Sequence, residues 1–239
     1  MLDELHVCDD SEPRSAALNM AVDEALLETS PSPSLRSYRW RGPALSFGYF
    51  GSYEEVANEH SDREIVRRWT GGGVVSHGDD LTYSIIIPAS HPFFARSALA
   101  IYSALHDAIR EALTENGIEA TLAHSVSPKV SEDCFANAVR ADVISEGRKI
   151  AGAAHRRSRL GLLHQGSIQK AKLPHRFIDD FARILCDRFE CRAVSQELID
   201  RATTIAQAKY GTTEWLLRRR GKPKRLSTPP VFTTVAMTE

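Results

Sequence analysis

Three consecutive glycines between two strand-like segments restrict how this chain can fold more than any other feature. The segment Glu64–Trp69 predicts a strand, and it runs through Thr70 directly into Gly71–Gly73. Glycine loses more backbone entropy on folding than any other residue, so such a run is usually kept where backbone N–H groups must approach a ligand closely. The neighbouring Arg67 and Arg68 favour a carboxylate or a phosphate as that ligand. A flexible hairpin turn with solvated arginines explains the same residues equally well, so this run alone leaves the function open.

The rest of the chain consists of blocks of helix-like and strand-like sequence. Apolar residues at helical spacing predict helices over residues 15–28, 97–116, about 175–189 and about 195–208. Further strands are predicted over Leu35–Trp40, Ala44–Phe50, Leu81–Ile87 and 160–169, with a hairpin over 141–155 that turns at Glu146–Gly147. Because strands and hairpins occur in blocks rather than in strict βαβ alternation, the predicted fold class is α+β, with a mixed or antiparallel β-sheet core flanked by helices.

Composition narrows the class of protein. The chain has 239 residues, of which 42% are apolar and 26% charged, which is typical of a soluble globular domain and excludes a disordered or collagen-like chain. Its formal net charge of −1 argues against a dedicated nucleic-acid-binding protein. No apolar run approaches the roughly 20 residues that a membrane-spanning helix needs, and the acidic first residues do not resemble a signal peptide. We therefore expect a cytoplasmic protein with reduced thiols.

The charge is unevenly distributed along the chain. Residues 218–225 hold six basic side chains and no acidic one, which leaves 24 basic against 31 acidic residues elsewhere. We predict one folded domain over residues 1–215 and a basic, flexible tail over residues 216–239. A short basic run of this kind either steers acidic partners through its charge or is simply solvated.

Three further motifs contain candidates for catalysis. Lys149 follows a tight turn and enters a strand of small residues that includes Gly152, from which it could reach an acyl carbonyl or a phosphate; a solvated lysine is the alternative. Cys134 is a thiolate nucleophile if nearby cations lower its pKa from about 8.5, and otherwise an inert thiol. His164 is either a base or a core residue. Neither a CxxC pair nor an HExxH motif is present, so no metal site is predicted.

Considered together, these motifs resemble those of the biotin/lipoate protein ligase catalytic-domain family. Four ordered runs carry the resemblance: RRWTGGGVVSHGDDLTYSIIIP, DCF, GRKIAGAAHRR and LLHQGSI. The upstream runs NMAVDEALLE and SLRSYRWRGPALSFGYF are also similar, so the resemblance covers roughly residues 10–215. It implies an α+β domain whose sheet cradles an extended acyl chain, and a substrate protein that is a small carrier domain modified on a lysine.

Two chemistries occur in that family, and the resemblance favours one of them. Lipoate ligases activate a free acid with ATP and Mg²⁺, whereas octanoyltransferases need no cofactor and take the acyl chain from acyl carrier protein through a cysteine thioester. Cys134 directly precedes Phe135, lies fifteen positions before Lys149, and looks like the acyl-accepting cysteine of the lipoate-ligase-like octanoyltransferases. The run DDLTYS also resembles the transferases, while the full Gly71–Gly73 run is more like the ligases. We therefore predict an octanoyltransferase.

The resemblance also implies roles for individual residues. The Cys134 thiolate would attack the carbonyl of the octanoyl thioester, and Lys149 would stabilise the oxyanion with help from backbone N–H groups of Gly71–Gly73. His77 and Tyr83 would shape the two ends of the pocket. The acceptor would be a lysine of a lipoyl-domain protein, such as the glycine cleavage H protein or a 2-oxoacid dehydrogenase E2 subunit. The expected substrate-binding residues are Arg68, Gly71, Gly72, Gly73, His77, Tyr83, Gly152 and His164.

Three alternatives stay open at this point. In an ATP-dependent lipoate–protein ligase, Arg68, Gly71–Gly73 and Lys149 would hold an acyl-adenylate, and Cys134 would be incidental. Biotin is a less favoured substrate, because biotin adenylation gives that cysteine no role. A non-catalytic accessory protein could instead bind carrier domains through the basic residues 218–225. We expect no membrane partner and no nucleic-acid partner.

Overall fold

The computed structural model describes residues 1–58, 62–125, 135 and 137–218. In chain order the elements are β1 (Leu5–Arg14), α1 (Ala16–Thr29), β2 (Ser34–Trp40), β3 (Ala44–Phe47), α2 (Tyr53–Ala57), β4 (Glu64–Arg67), β5 (Val74–His77), β6 (Leu81–Pro88), α3 (Ala98–Glu115), β7 (Thr121–Leu122), β8 (Val143–Ser145), β9 (Arg148–Arg157), β10 (Gly161–Ile168), α4 (Phe177–Leu185), β11 (Phe189–Cys191), α5 (Gln196–Ile205) and α6 (Thr213–Leu216). A 3₁₀ turn lies at Pro92–Ala95 and a π-helical turn at Ala206–Tyr210.

The strands form two sheets within the described residues. The large sheet is mixed and has the order β11-β1-β2-β6-β10-β9-β8-β7, in which β1 runs parallel to β2 and β11 and the other pairs are antiparallel. The small sheet has the order β4-β3-β5. This architecture confirms the α+β prediction of a mixed sheet flanked by helices.

Helices cover both faces of the large sheet at its centre. Ile85 and Leu162 pack with α3 and α4 on one face, while the next residue of each strand, Ile86 and Leu163, packs with α1 and α5 on the other. All eight residues of β10 are buried, because alternate side chains enter two separate cores. We call these two sides the α3 face and the α1 face.

The predicted helices and the predicted hairpin are present with small shifts at their ends. Both residues of the turn between β8 and β9 have positive φ, +49° at Glu146 and +72° at Gly147, as a two-residue hairpin turn requires. The hydroxyl groups of Ser15 and Ser97 accept hydrogen bonds from the first turns of α1 and α3, which fixes where those helices begin.

Two element boundaries differ from the predictions, and one strand was not predicted. The helix predicted over 175–189 ends at Leu185, and Phe189 instead belongs to β11, which pairs with Leu5 of β1 at the edge of the sheet. The strand β1 was not among the predicted elements. Strand β3 ends at Phe47 rather than at Phe50, because Gly48 packs against the backbone of the glycine run and begins a turn.

The C-terminal described residues anchor the small sheet. The Arg67 guanidinium is buried and donates to the backbone carbonyls of Trp215 (3.0 Å) and Leu216 (2.8 Å), and to those of Tyr49 (2.9 Å) and Gly51 (2.7 Å). Through these hydrogen bonds Arg67 connects the end of β4, just before the glycine run, to α6. Within the described part of the chain, no helix is both long and apolar enough to cross a lipid bilayer.

Candidate active site

A cavity lies on the α1 face of the large sheet, beneath the glycine run. It holds about 420 Å³ of empty space, part of which is open to solvent. Four of the predicted substrate-binding residues line it, namely Arg68, Gly72, His77 and Gly152.

Small residues on two neighbouring strands create the floor of this cavity. Gly152 of β9 lies opposite Ser167 of β10, which lies opposite Thr82 of β6, and Thr82 lies opposite Tyr38 of β2. All four line the cavity and form a row across the sheet, which we call the cross-strand row. Because Gly152 and Ser167 have little or no side chain above the sheet, the space over this row stays open.

Lys149 is buried at the Gly152 end of the cross-strand row. Its Nζ lies 2.8 Å from Asp142 Oδ2, and both side chains are at most 3% exposed. Val143 pairs with Ala151 but Ile144 pairs with Lys149, so Ile150 is an extra residue in β9. Such a bulge changes which face a side chain points to, and here it lets Lys149 share a face with Gly152.

Only a glycine at position 152 permits this arrangement. A Cβ atom built on Gly152 would lie 2.3 Å from Lys149 Cε and 2.6 Å from its Nζ. The small-residue run after Lys149, which the sequence singled out, therefore has a local steric reason. The lysine lies directly over the backbone of its own strand.

Asp142 was not among the predicted site residues, yet it organises this end of the cavity. Its Oδ1 accepts a hydrogen bond from Tyr102 Oη (2.5 Å), and its Oδ2 accepts one from the backbone N–H of Val139 (2.7 Å). Burial, and then the charge of Asp142, raise the pKa of Tyr102 far above its usual value, so the tyrosine remains a hydrogen-bond donor. A single acidic residue before a short strand is not a recognisable motif, so the sequence alone did not identify Asp142.

The residue that follows the predicted nucleophile is part of the site. Phe135 lines the cavity, and the centre of its ring lies 5.3 Å from Lys149 Nζ. Cys134 itself lies outside the described residues. Of the described cysteines, Cys8 and Cys186 are buried and Cys191 is exposed, and none of them lines the cavity.

His77 lies beside Thr82 of the cross-strand row, with its Nδ1 3.4 Å from Thr82 Oγ1. Its ring stacks on Trp40 with the centroids 4.1 Å apart, and the Trp40 indole N–H donates to Thr82 Oγ1 (2.7 Å). His77 Nδ1 lies 2.8 Å from Asp80 Oδ2, and its Nε2 lies 2.6 Å from Ser46 Oγ. Burial is the largest influence on His77 and lowers its pKa, so the neutral ring donates from Nδ1 to Asp80 and accepts from Ser46 at Nε2.

Hydrogen bonds fix the carboxylate of Asp80 in turn. Its Oδ2 accepts from Thr82 Oγ1 (2.7 Å) and Ser167 Oγ (2.6 Å) as well as from His77. Burial alone would raise the pKa of Asp80, but these three hydrogen bonds together hold it below its usual range. Thr82 and Ser167 are polar residues inside otherwise buried strands, and that pattern is the signal by which sequence reasoning could have found this cluster.

The Arg68 guanidinium donates hydrogen bonds to backbone carbonyls of the glycine run. Its Nη2 donates to Gly73 O (2.8 Å) and Gly71 O (3.2 Å), and its Nη1 donates to Ser46 Oγ (2.6 Å). Gly72 has a φ of +90°, where only glycine is unstrained, and its carbonyl packs on Gly48 so closely that a Cβ atom there would lie 2.1 Å away. The glycines are thus needed for a tight loop, and Arg68 holds that loop in place.

Two predicted substrate-binding residues lie on the α3 face instead. Tyr83 and His164 are fully buried, with Tyr83 Oη 3.4 Å from His164 Nε2, and neither lines the cavity. Successive residues of a strand point to opposite faces, so Tyr83 lies on the other side of the sheet from its neighbour Thr82. A Cβ atom on Gly166 would come within 2.3 Å of Tyr83 Oη, so the tyrosine lies directly behind the cavity floor.

Among the described residues, no group of three or more His, Cys, Asp or Glu side chains is arranged to hold a metal ion. At one end of the cavity the Lys149 ammonium lies over Gly152 and near the Phe135 ring, both of which line the space, and at the other end stand Trp40 and His77. Between them is a floor of small residues about two strands wide. This arrangement suits an extended apolar chain with a carbonyl at the lysine end.

Comparison with known proteins shows which family has a similar sequence. The family model described as the lipoyl protein ligase A/B catalytic domain matches residues 15–208. A protein named octanoyltransferase LipM from Oceanobacillus iheyensis is 38% identical over 205 residues, which covers 82% of this chain and 74% of the relative. A protein of the same name from Bacillus subtilis is 32% identical over 229 residues, with 86% and 82% covered.

Solved structures agree in fold. A putative lipoate protein ligase from T. acidophilum with bound lipoic acid superposes with a TM-score of 0.69 at 19% identity, covering 91% of this chain and 99% of that one. A lipoate-protein ligase A bound with ATP superposes with a TM-score of 0.70 at 18% identity and the same coverage. At these identities the two structures establish the fold.

Proposed function

Because this chain belongs to the lipoyl protein ligase A/B catalytic-domain family, it is an enzyme of the acyltransferase and ligase class, and we propose that it transfers an octanoyl group to a lysine of a lipoyl domain. The family membership confirms the resemblance found in the sequence. The observation that carries the proposal is the buried Lys149 at the end of an open, small-residue floor, in a chain whose relatives are named octanoyltransferases.

In this proposal the octanoyl chain lies along the cross-strand row. Its carbonyl is at the Lys149 end, where the buried ammonium stabilises negative charge that develops on the carbonyl oxygen. Asp142 acts as a positioning residue because it pairs with Lys149, and Tyr102 acts through Asp142, to which it donates a hydrogen bond. The alkyl chain extends towards Trp40 and His77.

The chemistry proceeds in two acyl transfers. The Cys134 thiol loses its proton, the thiolate attacks the carbonyl carbon of octanoyl-acyl carrier protein, a new C–S bond forms and the original C–S bond breaks. The carrier leaves as a thiolate, which takes up a proton in place of the one that Cys134 lost. The amine of the lipoyl-domain lysine then attacks octanoyl-Cys134, an amide bond forms, and the cysteine thiol is regenerated with the proton released by the amine. What supports Cys134 is its resemblance to the acyl-accepting cysteine and the position of the next residue, Phe135, beside Lys149.

The partners follow from the same proposal. Acyl carrier protein is the donor, and the acceptors are lipoyl-domain proteins such as the glycine cleavage H protein or 2-oxoacid dehydrogenase E2 subunits. Residues 1–215 form the catalytic domain, and the basic residues within 216–239 favour the approach of acidic carrier domains. The reaction takes place in the cytoplasm without ATP or a metal ion.

Intact-mass spectrometry tests the covalent route. Purified protein is mixed with octanoyl-acyl carrier protein in the absence of ATP, as wild type, as Cys134→Ala and as Cys191→Ala, which removes an exposed cysteine far from the cavity lining. We expect one octanoyl group on the wild type and on Cys191→Ala, none on Cys134→Ala, and transfer of the adduct to an apo lipoyl domain.

A different outcome would identify the ligase chemistry. If the lipoyl domain is modified only after ATP, Mg²⁺ and free octanoate or lipoate are supplied, and Cys134→Ala is as active as the wild type, the thioester route is excluded. Lys149→Ala is expected to be inactive under both chemistries, so it tests the site and not the route.

A further inference from the structure

A second, solvent-open groove lies beyond the far end of the cavity. His77 lines both spaces, while Ser76, Gln169 and Lys170 line only the groove. Asp80 also lines the groove, although two of its hydrogen-bond partners on the cavity side, Thr82 and Ser167, line the cavity. The two spaces are thus separated by a single layer of side chains, which we call the His77–Asp80 partition.

The partition presents an apolar surface to the cavity. Both nitrogen atoms of the His77 ring are engaged in hydrogen bonds, Nδ1 with Asp80 and Nε2 with Ser46. One face of the ring is stacked on Trp40. The ring atoms left to contact a substrate are therefore carbon atoms, which suit the methyl end of an alkyl chain better than a polar group.

The partition is also rigid. Turning the His77 ring would break two buried hydrogen bonds at once and leave their partners unsatisfied. Ser46 is held by Arg68, which also holds the glycine run, and Asp80 is held from the floor by Ser167. The Ser46–His77–Asp80 chain has the order of a hydrolytic triad, but it stands at the end of the cavity opposite Lys149.

An octanoyl chain is long enough to span the part of the floor between Gly152 and Thr82. From Gly152 on β9 to Thr82 on β6 the cross-strand row crosses two strand spacings, or about 9.6 Å. The seven C–C bonds of an extended octanoyl group advance about 1.25 Å each, or about 9 Å from the carbonyl carbon to the methyl group. The partition meets the row at Ser167 and at Thr82, one and two strand spacings from Gly152, so an octanoyl chain with its carbonyl at Lys149 is long enough to reach it.

We propose that the His77–Asp80 partition is the stop that limits acyl-chain length, and that the groove behind it is a distal subsite for longer chains once the partition is removed. This inference rests on the proposed function, since it takes the carbonyl to be at Lys149. It assigns to His77 a specific role, as the residue against which the terminal methyl group packs. Ser46 and Asp80 are then positioning residues that keep the ring across the passage.

The test compares donors of different length. Octanoyl-, decanoyl- and dodecanoyl-acyl carrier protein are assayed with the wild type, His77→Ala and His77→Phe. His77→Ala opens the passage, and we expect the ratio of kcat/KM for dodecanoyl to that for octanoyl to rise by about tenfold or more. His77→Phe keeps a ring in the passage, so its ratio stays near the wild-type value. Asp80→Ala removes the hydrogen-bond partner of His77 Nδ1, so the ring is held less firmly. We expect the dodecanoyl-to-octanoyl ratio of kcat/KM to rise in this variant as well, but by a smaller factor.

Fatty-acid binding is also measured without turnover, so that the test does not depend on catalytic activity. A separate folding control excludes variants that are unfolded. Circular dichroism first shows that each variant is folded, and calorimetric titration with free octanoate and free dodecanoate then gives the relative affinities. Tighter relative binding of dodecanoate by His77→Ala supports the inference even if that variant is inactive. If His77→Ala proves unfolded, the same titrations on Asp80→Ala and His77→Phe decide it, because only Asp80→Ala should gain relative affinity for dodecanoate.

Three results would overturn the inference. The first is a folded His77→Ala protein with the wild-type length profile in both assays. The second is a wild type that uses dodecanoyl donors as well as octanoyl donors. The third is an octanoyl ester on Ser46, stable to neutral hydroxylamine, because it would place the carbonyl at the wrong end of the cavity. A wild type that forms no acyl-enzyme contradicts the proposed function instead, and the fatty-acid titrations still decide the role of the partition.

Discussion

Acidification should destabilise this protein through the buried histidines on the α3 face. His106 and His164 are fully buried, and their ring centres lie 5.7 Å apart. His106 Nδ1 donates to the carbonyl of Ala141 (2.7 Å), whereas His106 Nε2 and His164 Nδ1 have no hydrogen-bond partner among the described residues. Protonation would place a charge in this apolar layer, close to the charged Lys149 and to His155.

The size of the effect follows from the pKa of His106. Burial is the main cause that lowers this pKa from 6.5 to about 4, against the opposing influence of Asp142. As the pH falls below 6.5, the unfolded chain binds the proton before the folded protein does, so the free energy of unfolding decreases until the pH reaches about 4. Between pH 7 and pH 5 this linkage amounts to about 2 kcal/mol for His106 alone. Burial also lowers the pKa of His164, which adds a loss of the same sign.

Urea unfolding at pH 7, 6 and 5 measures this loss. The variant His106→Asn keeps an N–H donor near Ala141 but cannot be protonated in this range, so its free energy of unfolding should fall by about 2 kcal/mol less than that of the wild type between pH 7 and pH 5. His124→Asn, at an exposed position, provides the control and should follow the wild type. An equal pH dependence in His106→Asn and the wild type would show that this histidine is not buried in the neutral form.

Three further substitutions test the packing around Lys149 and the cavity floor. Gly152→Ala places a methyl group in the space that Lys149 Cε occupies, so the rate of octanoyl transfer should fall by roughly tenfold or more in the acyl-enzyme assay. Gly166→Ala pushes against Tyr83 on the other face, and urea unfolding should show a loss of about 1–3 kcal/mol. Asp142→Ala removes the carboxylate paired with the buried ammonium and should lower the free energy of unfolding by about 3–5 kcal/mol, measured the same way.

Local signals in the sequence were enough to predict most helices and the β8–β9 hairpin. Strand β1 was missed because its apolar and polar residues do not alternate throughout. Asp10 is buried in it only because Arg14 and the fully buried Arg36 of β2 bind its carboxylate, at 2.9 and 2.8 Å. A charged residue of this kind is typical of a loop until its partner from another element is known.

Sequence motifs predicted several of the residues of the candidate site that lie on the cavity side of the sheet. Arg68 and His77 come from the glycine-run motif and Gly152 from the motif that contains Lys149, and they meet around one cavity, with Lys149 over Gly152. His164 belongs to an equally suggestive motif but lies behind the sheet, because the face on which a strand residue lies depends on the register of pairing, which a motif does not encode. The partners Asp80 and Asp142 are recognisable only once the strands are paired.

The anchoring of Arg67 to the last described helix has a practical consequence for anyone who handles the protein. Truncation ahead of Trp215 would remove two of the four carbonyl acceptors of this buried guanidinium and would loosen the loop that roofs the cavity, although no residue of the cavity lining would be lost. The guanidinium of Arg218 already lies 5.0 Å from the ring of Tyr49, whose backbone N–H bonds to the carbonyl of Thr70 beside the glycine run. Shortened forms of the protein should therefore retain Trp215 and Leu216, whose carbonyls accept hydrogen bonds from Arg67.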